Sequence, residues 1–273
     1  MAEGMMKYRA KEKLKNPGSP AVSLLALYAR SSFYKILAAL AGLAAAEGVS
    51  FYMVCMKQGQ SEGVLNPEKM IDMCMLKYLF LAALTLVYFI LVVTEGECSS
   101  CKNGYTLLRL RISKKGQFAV KTAYNLLCLM LVFAMQILAA YAICRLYKAE
   151  LPPELVSPQY LFLAFYRNDF LHCILPMADL GKWVCNILLL LALAMDAACS
   201  GSFFRVKRGK NTGGNGGRNL LVSVWIYIIL VQWFVSESNS LIMLFYALFS
   251  VMFIAAALLR LFGVTGGDSD EEA

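Results

Sequence analysis

The chain has 273 residues, of which 59% are hydrophobic and only 16% are charged, with a net charge of +8. In soluble domains roughly half of the residues are apolar, so part of this chain must be solvated by lipid. The apolar residues occur in blocks of 16 to 24, which is long enough to cross a hydrocarbon core of about 30 Å. This arrangement excludes a separate soluble catalytic domain.

Six of these blocks are predicted to be membrane-spanning helices of one transmembrane domain, residues 1–273. In chain order the predicted spans cover residues 33–56, 78–93, 123–146, 183–204, 220–235 and 241–264. Five residues, 236–240, join the last two spans, so these two helices are predicted to form an antiparallel hairpin. The expected fold class is an all-α integral membrane protein.

Lysine and arginine are distributed unevenly between the two sides of the predicted bundle. With the N-terminus inside, 19 of the 26 basic residues fall on the cytoplasmic side and seven on the other. The positive-inside rule therefore predicts a multi-pass protein of the cell membrane with both termini in the cytoplasm. Attraction of the basic loops to anionic lipid accounts for the net charge, and nucleic acid is not an expected partner.

Two further segments are apolar without being convincing spans. Residues 21–35 contain Arg30 and immediately precede the first span, which predicts an elbow helix lying in the cytoplasmic interface. The external connection 147–182 holds a mixed apolar and polar stretch, residues 158–175, before Pro176. We expect an amphipathic helix there, interfacial or partly re-entrant. The alternative is a seventh span, which would move every later loop to the opposite side of the membrane and violate the positive-inside rule there.

The sequence lacks the residue sets of membrane enzymes. The single histidine, His172, lies outside the predicted spans, which excludes two-histidine metalloproteases and argues strongly against a Ser–His intramembrane protease. Cys98 and Cys101 form a lone CxxC pair, which leaves metal binding there open. Gly209-Lys210 is followed by Asn211, where a phosphate-binding loop needs Ser or Thr. We therefore expect no enzyme activity and no cofactor in this chain, and an ATP-driven activity would need a nucleotide site on another chain.

Polar side chains within apolar spans are candidates for a transport path, because each is costly in lipid unless it is paired or hydrated. The two acidic ones are Glu47 and Asp196, predicted to lie roughly 21 Å and roughly 12 Å from the cytoplasmic side. At such different depths they are not expected to form a pair. Gln136 and Gln232 are predicted to be buried and to make hydrogen bonds between helices. Alternatively, Glu47 is satisfied by Ser50 or by water near the outer end of its span, and Asp196 by Ser200 or a helix partner. The two glutamines would then serve only helix packing.

The first cytoplasmic loop carries the most informative pattern of the chain. Between residues 103 and 127, leucine and isoleucine alternate with basic residues, and the segment runs directly into the third span. Such a mixture predicts docking onto a protein or onto lipid headgroups; a simple positive-inside loop is the alternative. The candidate docking residues are Tyr105, Arg109, Arg111, Lys114 and Lys115.

Four segments together resemble the membrane subunits of type-2 ATP-binding-cassette (ABC) exporters, in their compact bacterial six-span branch. They are residues 21–35, YTLLRLRISKKGQFAVK at 105–121, LAFYRNDFLHCILP at 163–176, and FRVKRGK at 204–210. The resemblance implies a permease half that dimerises and binds separate cytoplasmic ATPase subunits, where ATP is held. Residues 105–121 would then be the coupling helix. Family members often carry short external helices between spans five and six, whereas here the external residues lie between spans three and four.

Two other functions are compatible with the sequence. One is a membrane scaffold or sensor that recruits partners through its cytoplasmic loops and acidic tail. The other is an ATP-independent channel or substrate-binding membrane subunit, which would be favoured if Glu47 and Asp196 lined a hydrated cavity.

Overall fold

The computed structural model describes residues 20–58, 66–100, 113–151, 159–177, 179–200, 216–235 and 240–265. Every regular element in these residues is a helix. In chain order they are α1 (Pro20–Gln58), α2 (Pro67–Met73), α3 (Leu76–Ser100), α4 (Lys114–Glu150), α5 (Tyr160–Arg167), α6 (Asp169–Ile174), α7 (Leu180–Ser200), α8 (Gly216–Val235) and α9 (Ser240–Thr265).

Five of these helices, α1, α3, α4, α7 and α9, are long and apolar enough to cross a membrane. This confirms the predicted all-α, membrane-embedded class. The fifth predicted span lies in α8, which is a helix of 20 residues. Its apolar part with described side chains is shorter, Val224–Val235, so the count of six spans stays a prediction.

The predicted elbow is wrong as a separate helix. Residues 21–35 are continuous with the first predicted span in α1, which is 39 residues long. No glycine or proline interrupts the chain between Ala21 and Lys35, so nothing breaks the helical hydrogen bonds. The Ser32 hydroxyl bonds back to the carbonyl of Tyr28 and also meets the Tyr124 hydroxyl of α4. These contacts hold this part of α1 against the bundle.

The predicted single helix at 158–175 is also wrong in detail, because the structure has two short helices, α5 and α6. They break at Asn168, whose side chain caps α6 by accepting a hydrogen bond from the Leu171 amide. The Asn168 side-chain amide also donates a hydrogen bond to the Asp72 carboxylate of α2 at 3.2 Å, so the junction between α5 and α6 is bonded to α2. Most of α6 is buried, so this pair of helices covers one end of the bundle and packs against it.

The long helices form a layered bundle with α7 near its middle. α7 packs against α9 on one side and α4 on the other, and α1 packs against α3 and α4 at the far edge. An added Cβ at Gly181 would lie 2.5 Å from the terminal methyl group of Met243, so the two helices pack closely at this point.

An aromatic cluster joins four helices at the end that α5 and α6 cover. Phe80 of α3 makes edge-to-face contacts with Phe133, Phe170 and Phe234, with ring centroids 5.0 to 5.7 Å apart. Such geometry suits the quadrupoles of aromatic rings. We call this the Trp233 end of the bundle, since Trp233 is buried beside it, and the opposite end the Lys121 end.

Candidate functional site

A buried lysine, Lys121, joins two helices at the Lys121 end of the bundle. Lys121, in the second turn of α4, is 5% exposed, and its Nζ lies 3.4 Å and 3.0 Å from the carbonyl oxygens of Ala197 and Ala198. Both carbonyls belong to the last turn of α7, where the helix itself supplies no donors. A cation at this position is also favoured by the helix dipole. The start of α4 and the end of α7 are therefore fastened together.

Two further hydrogen bonds join α7 to α3 and to α4 near the Lys121 contact. The Tyr88 hydroxyl of α3 donates to Asp196 Oδ2 at 2.6 Å, and Asn125 Nδ2 of α4 donates to the Ala194 carbonyl at 3.2 Å. The sequence predicted Asp196 as a candidate but gave no reason to choose Tyr88 or Asn125. Asp196 is thus held by a neighbouring helix at the end where α7 terminates.

A recess lined mainly by residues with polar groups opens beside this contact between α1, α3 and α4. It encloses about 270 Å³ of empty space, counting the part open to the outside. Its walls are Tyr28, Ser31, Ser32, Leu91, Lys121, Tyr124 and Asn125. Neither Glu47 nor Asp196 lines it, so it is not the hydrated cavity that would favour the channel hypothesis.

The predicted docking segment leads directly into this end of the bundle. Its last part is the beginning of α4, where the Ser113 side chain caps the helix by accepting from the Gly116 amide at 3.2 Å. Lys114 is the first residue of α4 and Lys115 is exposed. Tyr105, Arg109 and Arg111 lie outside the described residues.

At the Trp233 end, an asparagine in α7 ties three helices together. Asn186 Oδ1 accepts from Trp233 Nε1 of α8 at 2.8 Å, and its Nδ2 donates to the Cys173 carbonyl of α6 at 2.7 Å. Cys173 lies in the last turn of α6, where the carbonyl needs an external donor. The signal that could have identified Asn186 is a single amide inside an apolar span.

Glu47 and Gln136 lie near the same end, on facing helices. Both side chains are 0% exposed. The Gln136 amide is next to the Glu47 carboxyl, yet neither side chain has a partner that meets hydrogen-bond geometry among the described residues. Ser50, one turn after Glu47, donates instead to the Cys74 carbonyl at 2.7 Å. Burial, followed by the nearby Cys55 thiol and Glu47 carboxyl, raises the pKa of Cys74 to about 11.

No family model, curated protein or solved structure matches the chain. The arrangement of its own buried polar groups therefore carries the functional argument.

The candidate path residues fall into separate places. Lys121 and Gln136 are 15 residues apart on α4, about 22 Å along the helix. Asp196 is next to the carbonyls that bind Lys121, and Glu47 is next to Gln136. The two acids are consequently at different levels of the bundle, about 22 Å apart along α4.

The prediction that Gln232 is buried is wrong. Gln232 is exposed on the outer surface of α8, because Ile226, Leu230 and Trp233 form the buried face and Gln232 is on the opposite side of a helix with 3.6 residues per turn. Within the described residues, no group of three or more His, Cys, Asp and Glu side chains could hold a metal ion. The Cys98 side chain and Cys101 lie outside them.

Proposed function

We propose that this protein is the membrane-spanning subunit of a type-2 ABC exporter in a bacterial cell membrane, and that a separate cytoplasmic ATPase subunit binds ATP and drives it. The observation that carries the proposal is the contact between Lys121 and the last turn of α7. Lys121 is the last residue of the candidate coupling segment, residues 105–121.

A displacement of the coupling segment would reach two other helices, α7 and α1, through α4. The segment continues into α4 without a break from residue 114 onward. Within the next three turns, α4 bonds to α7 through Lys121 and Asn125 and to α1 through Tyr124. A rigid helix with such bonds can transmit movement across the bundle, as required of a permease that alternates access.

The proposal includes six spans with both termini in the cytoplasm. One contact between helices supports an alternating order: Ser32 of α1 meets Tyr124 of α4 in the first third of both helices, so the first and third spans run in the same direction. With α8 as a full span, the excess of basic residues falls on the side of both termini.

Enzyme fusions test this orientation. Alkaline phosphatase, which is active only outside the cytoplasm, is expected to be active when fused after residue 156 and inactive when fused after residue 273. The reason is that three spans precede the first position and six precede the second. Phosphatase activity at both positions would mean that one of α7, α8 and α9 does not cross the membrane, and would contradict the six-span topology.

The outer face of α1 supports dimerisation. Ile36, Leu43 and Phe51 face the bundle, whereas Gly42 and Gly48 face away from it, with no atom within 4 Å of an added Cβ. Small residues on an exposed transmembrane face allow the backbone of another helix to come close. We place the contact between two permease halves on this face.

Charge reversal of the coupling segment tests the function. The double variant Arg109→Glu/Arg111→Glu is expected to lower permease-dependent stimulation of the partner ATPase at least about tenfold. A surface of the ATPase that binds the two arginines would repel glutamates in their place. The measurement is ATP hydrolysis by the purified complex in nanodiscs.

The matched control is Lys207→Glu/Arg208→Glu, which makes the same change of charge in the other basic cytoplasmic loop. The control should retain stimulation. Equal stimulation by Arg109→Glu/Arg111→Glu and the wild type would refute the coupling role and favour a membrane scaffold.

A further inference from the structure

The side chains of Glu47 and Gln136 form a buried polar pair that the contact with Lys121 does not involve. Both are 0% exposed and come from different helices, α1 and α4. Both carboxyl oxygens and both amide atoms lack a hydrogen-bond partner in the part of the chain that the structure describes. Buried polar groups are nearly always satisfied, so a pair left open in this way indicates a missing ligand.

The surroundings supply no positive charge to this pair. No described Lys, Arg or His side chain makes an ion pair with Glu47. The neighbouring polar groups are already used: the Ser50 hydroxyl bonds to the Cys74 carbonyl, and the Cys74 thiol faces the Met70 sulfur at 3.7 Å. By contrast, the other buried acid, Asp196, accepts a hydrogen bond from Tyr88.

We propose that the Glu47 carboxylate and the Gln136 side-chain oxygen bind one small cation, either an inorganic monovalent ion or the primary ammonium group of a transported molecule. A carboxylate inside a membrane protein is costly unless a positive charge accompanies it. Carboxylate and amide oxygens are the ligands that hard cations prefer. The Gln136 amide can turn its oxygen to the ion, because the orientation of an amide group is set by its partners and here it has none.

The site would bind its cation without an ATPase subunit. It joins α1 to α4 about 22 Å along α4 from the Lys121 contact, so it does not depend on the exporter proposal. Loss of ATPase coupling in the Arg109 and Arg111 variant would leave cation binding intact, and loss of cation binding would leave the ATPase assignment standing.

Thermal unfolding of the full-length protein in nanodiscs tests the proposal. Sodium, potassium or methylammonium replaces the bulky cation N-methylglucamine at constant pH and ionic strength. At about 100 times its dissociation constant, a bound cation is expected to raise the midpoint by about 5 °C. A response to sodium or potassium identifies an inorganic ion site, and a response to methylammonium alone identifies an ammonium site.

Two isosteric variants make the test specific. Glu47→Gln is expected to abolish the shift, whereas Asp196→Asn, which alters the other buried acid, should keep it. Direct binding of radioactive sodium or methylammonium to the wild type must be saturable with about one site per chain, and this result decides the matter even if Glu47→Gln fails to fold. The proposal is overturned if no cation binds or shifts the wild-type midpoint, or if Glu47→Gln responds like the wild type.

Discussion

Replacing Trp233 with alanine is expected to destabilise the bundle by about 3 kcal/mol, the largest effect of any single truncation that we predict. Trp233 is only 1% exposed, and its indole packs against Tyr246 of α9 with ring centroids 5.2 Å apart. The truncation leaves a cavity and removes the donor to Asn186. Because lipid supplies little hydrophobic force between helices, such packing contributes much of the stability.

The measurement is the free energy of unfolding in mixed micelles, followed by circular dichroism during titration with denaturing detergent. Trp225 provides a matched control on the same helix, since it is 59% exposed. Trp225→Ala should change the free energy by less than about 0.5 kcal/mol. Equal effects of the two variants would contradict the described packing of α8 against α7 and α9.

Replacing Lys121 with methionine is expected to cost about 2 kcal/mol and to reduce ATPase stimulation as well. The side chain keeps nearly the same volume, but the carbonyls of Ala197 and Ala198 lose a charged donor. Hydrogen bonds to charged groups contribute about 1.5 to 3 kcal/mol when they are removed. The functional loss follows because α4 is no longer fastened to the end of α7.

Lys57→Met is the control, because Lys57 is exposed in the last turn of α1 and lies outside the coupling segment. Unfolding free energy and ATP hydrolysis are measured for both variants under the same conditions. A Lys121→Met protein that is as stable and as active as Lys57→Met would show that the buried lysine has no part in transmission.

Much of the fold follows from hydrophobic patterning alone. The blocks at 33–56, 123–146 and 241–264 each lie within a described helix, which is longer by 15, 13 and 2 residues respectively, because helices extend past the hydrocarbon core. The pattern could not reveal that residues 21–35 form one continuous helix with the first predicted span. A segment with Arg30 in it is equally suited to an interface, and only the contact of Ser32 with Tyr124 on a distant helix selects the straight form.

The candidate sites were less predictable, because polar residues in spans acquire meaning only from the helix opposite. Glu47 and Gln136 were singled out separately, and the structure brings them together. Gln232 had the same composition signal and faces outward. Asn186 and Lys121 gave only weak signals, because an amide in a leucine-rich stretch and a lysine before a span are both common. Both donate to backbone carbonyls that no sequence pattern marks.

Affinity purification of the tagged, full-length protein from its native membrane in mild detergent, followed by mass spectrometry, tests the exporter proposal most directly. The predicted result is an ATPase subunit with Walker motifs, recovered in a ratio of about one to each permease chain and lost in the Arg109→Glu/Arg111→Glu variant. Recovery of the intact membrane protein without any such ATPase would contradict the proposal.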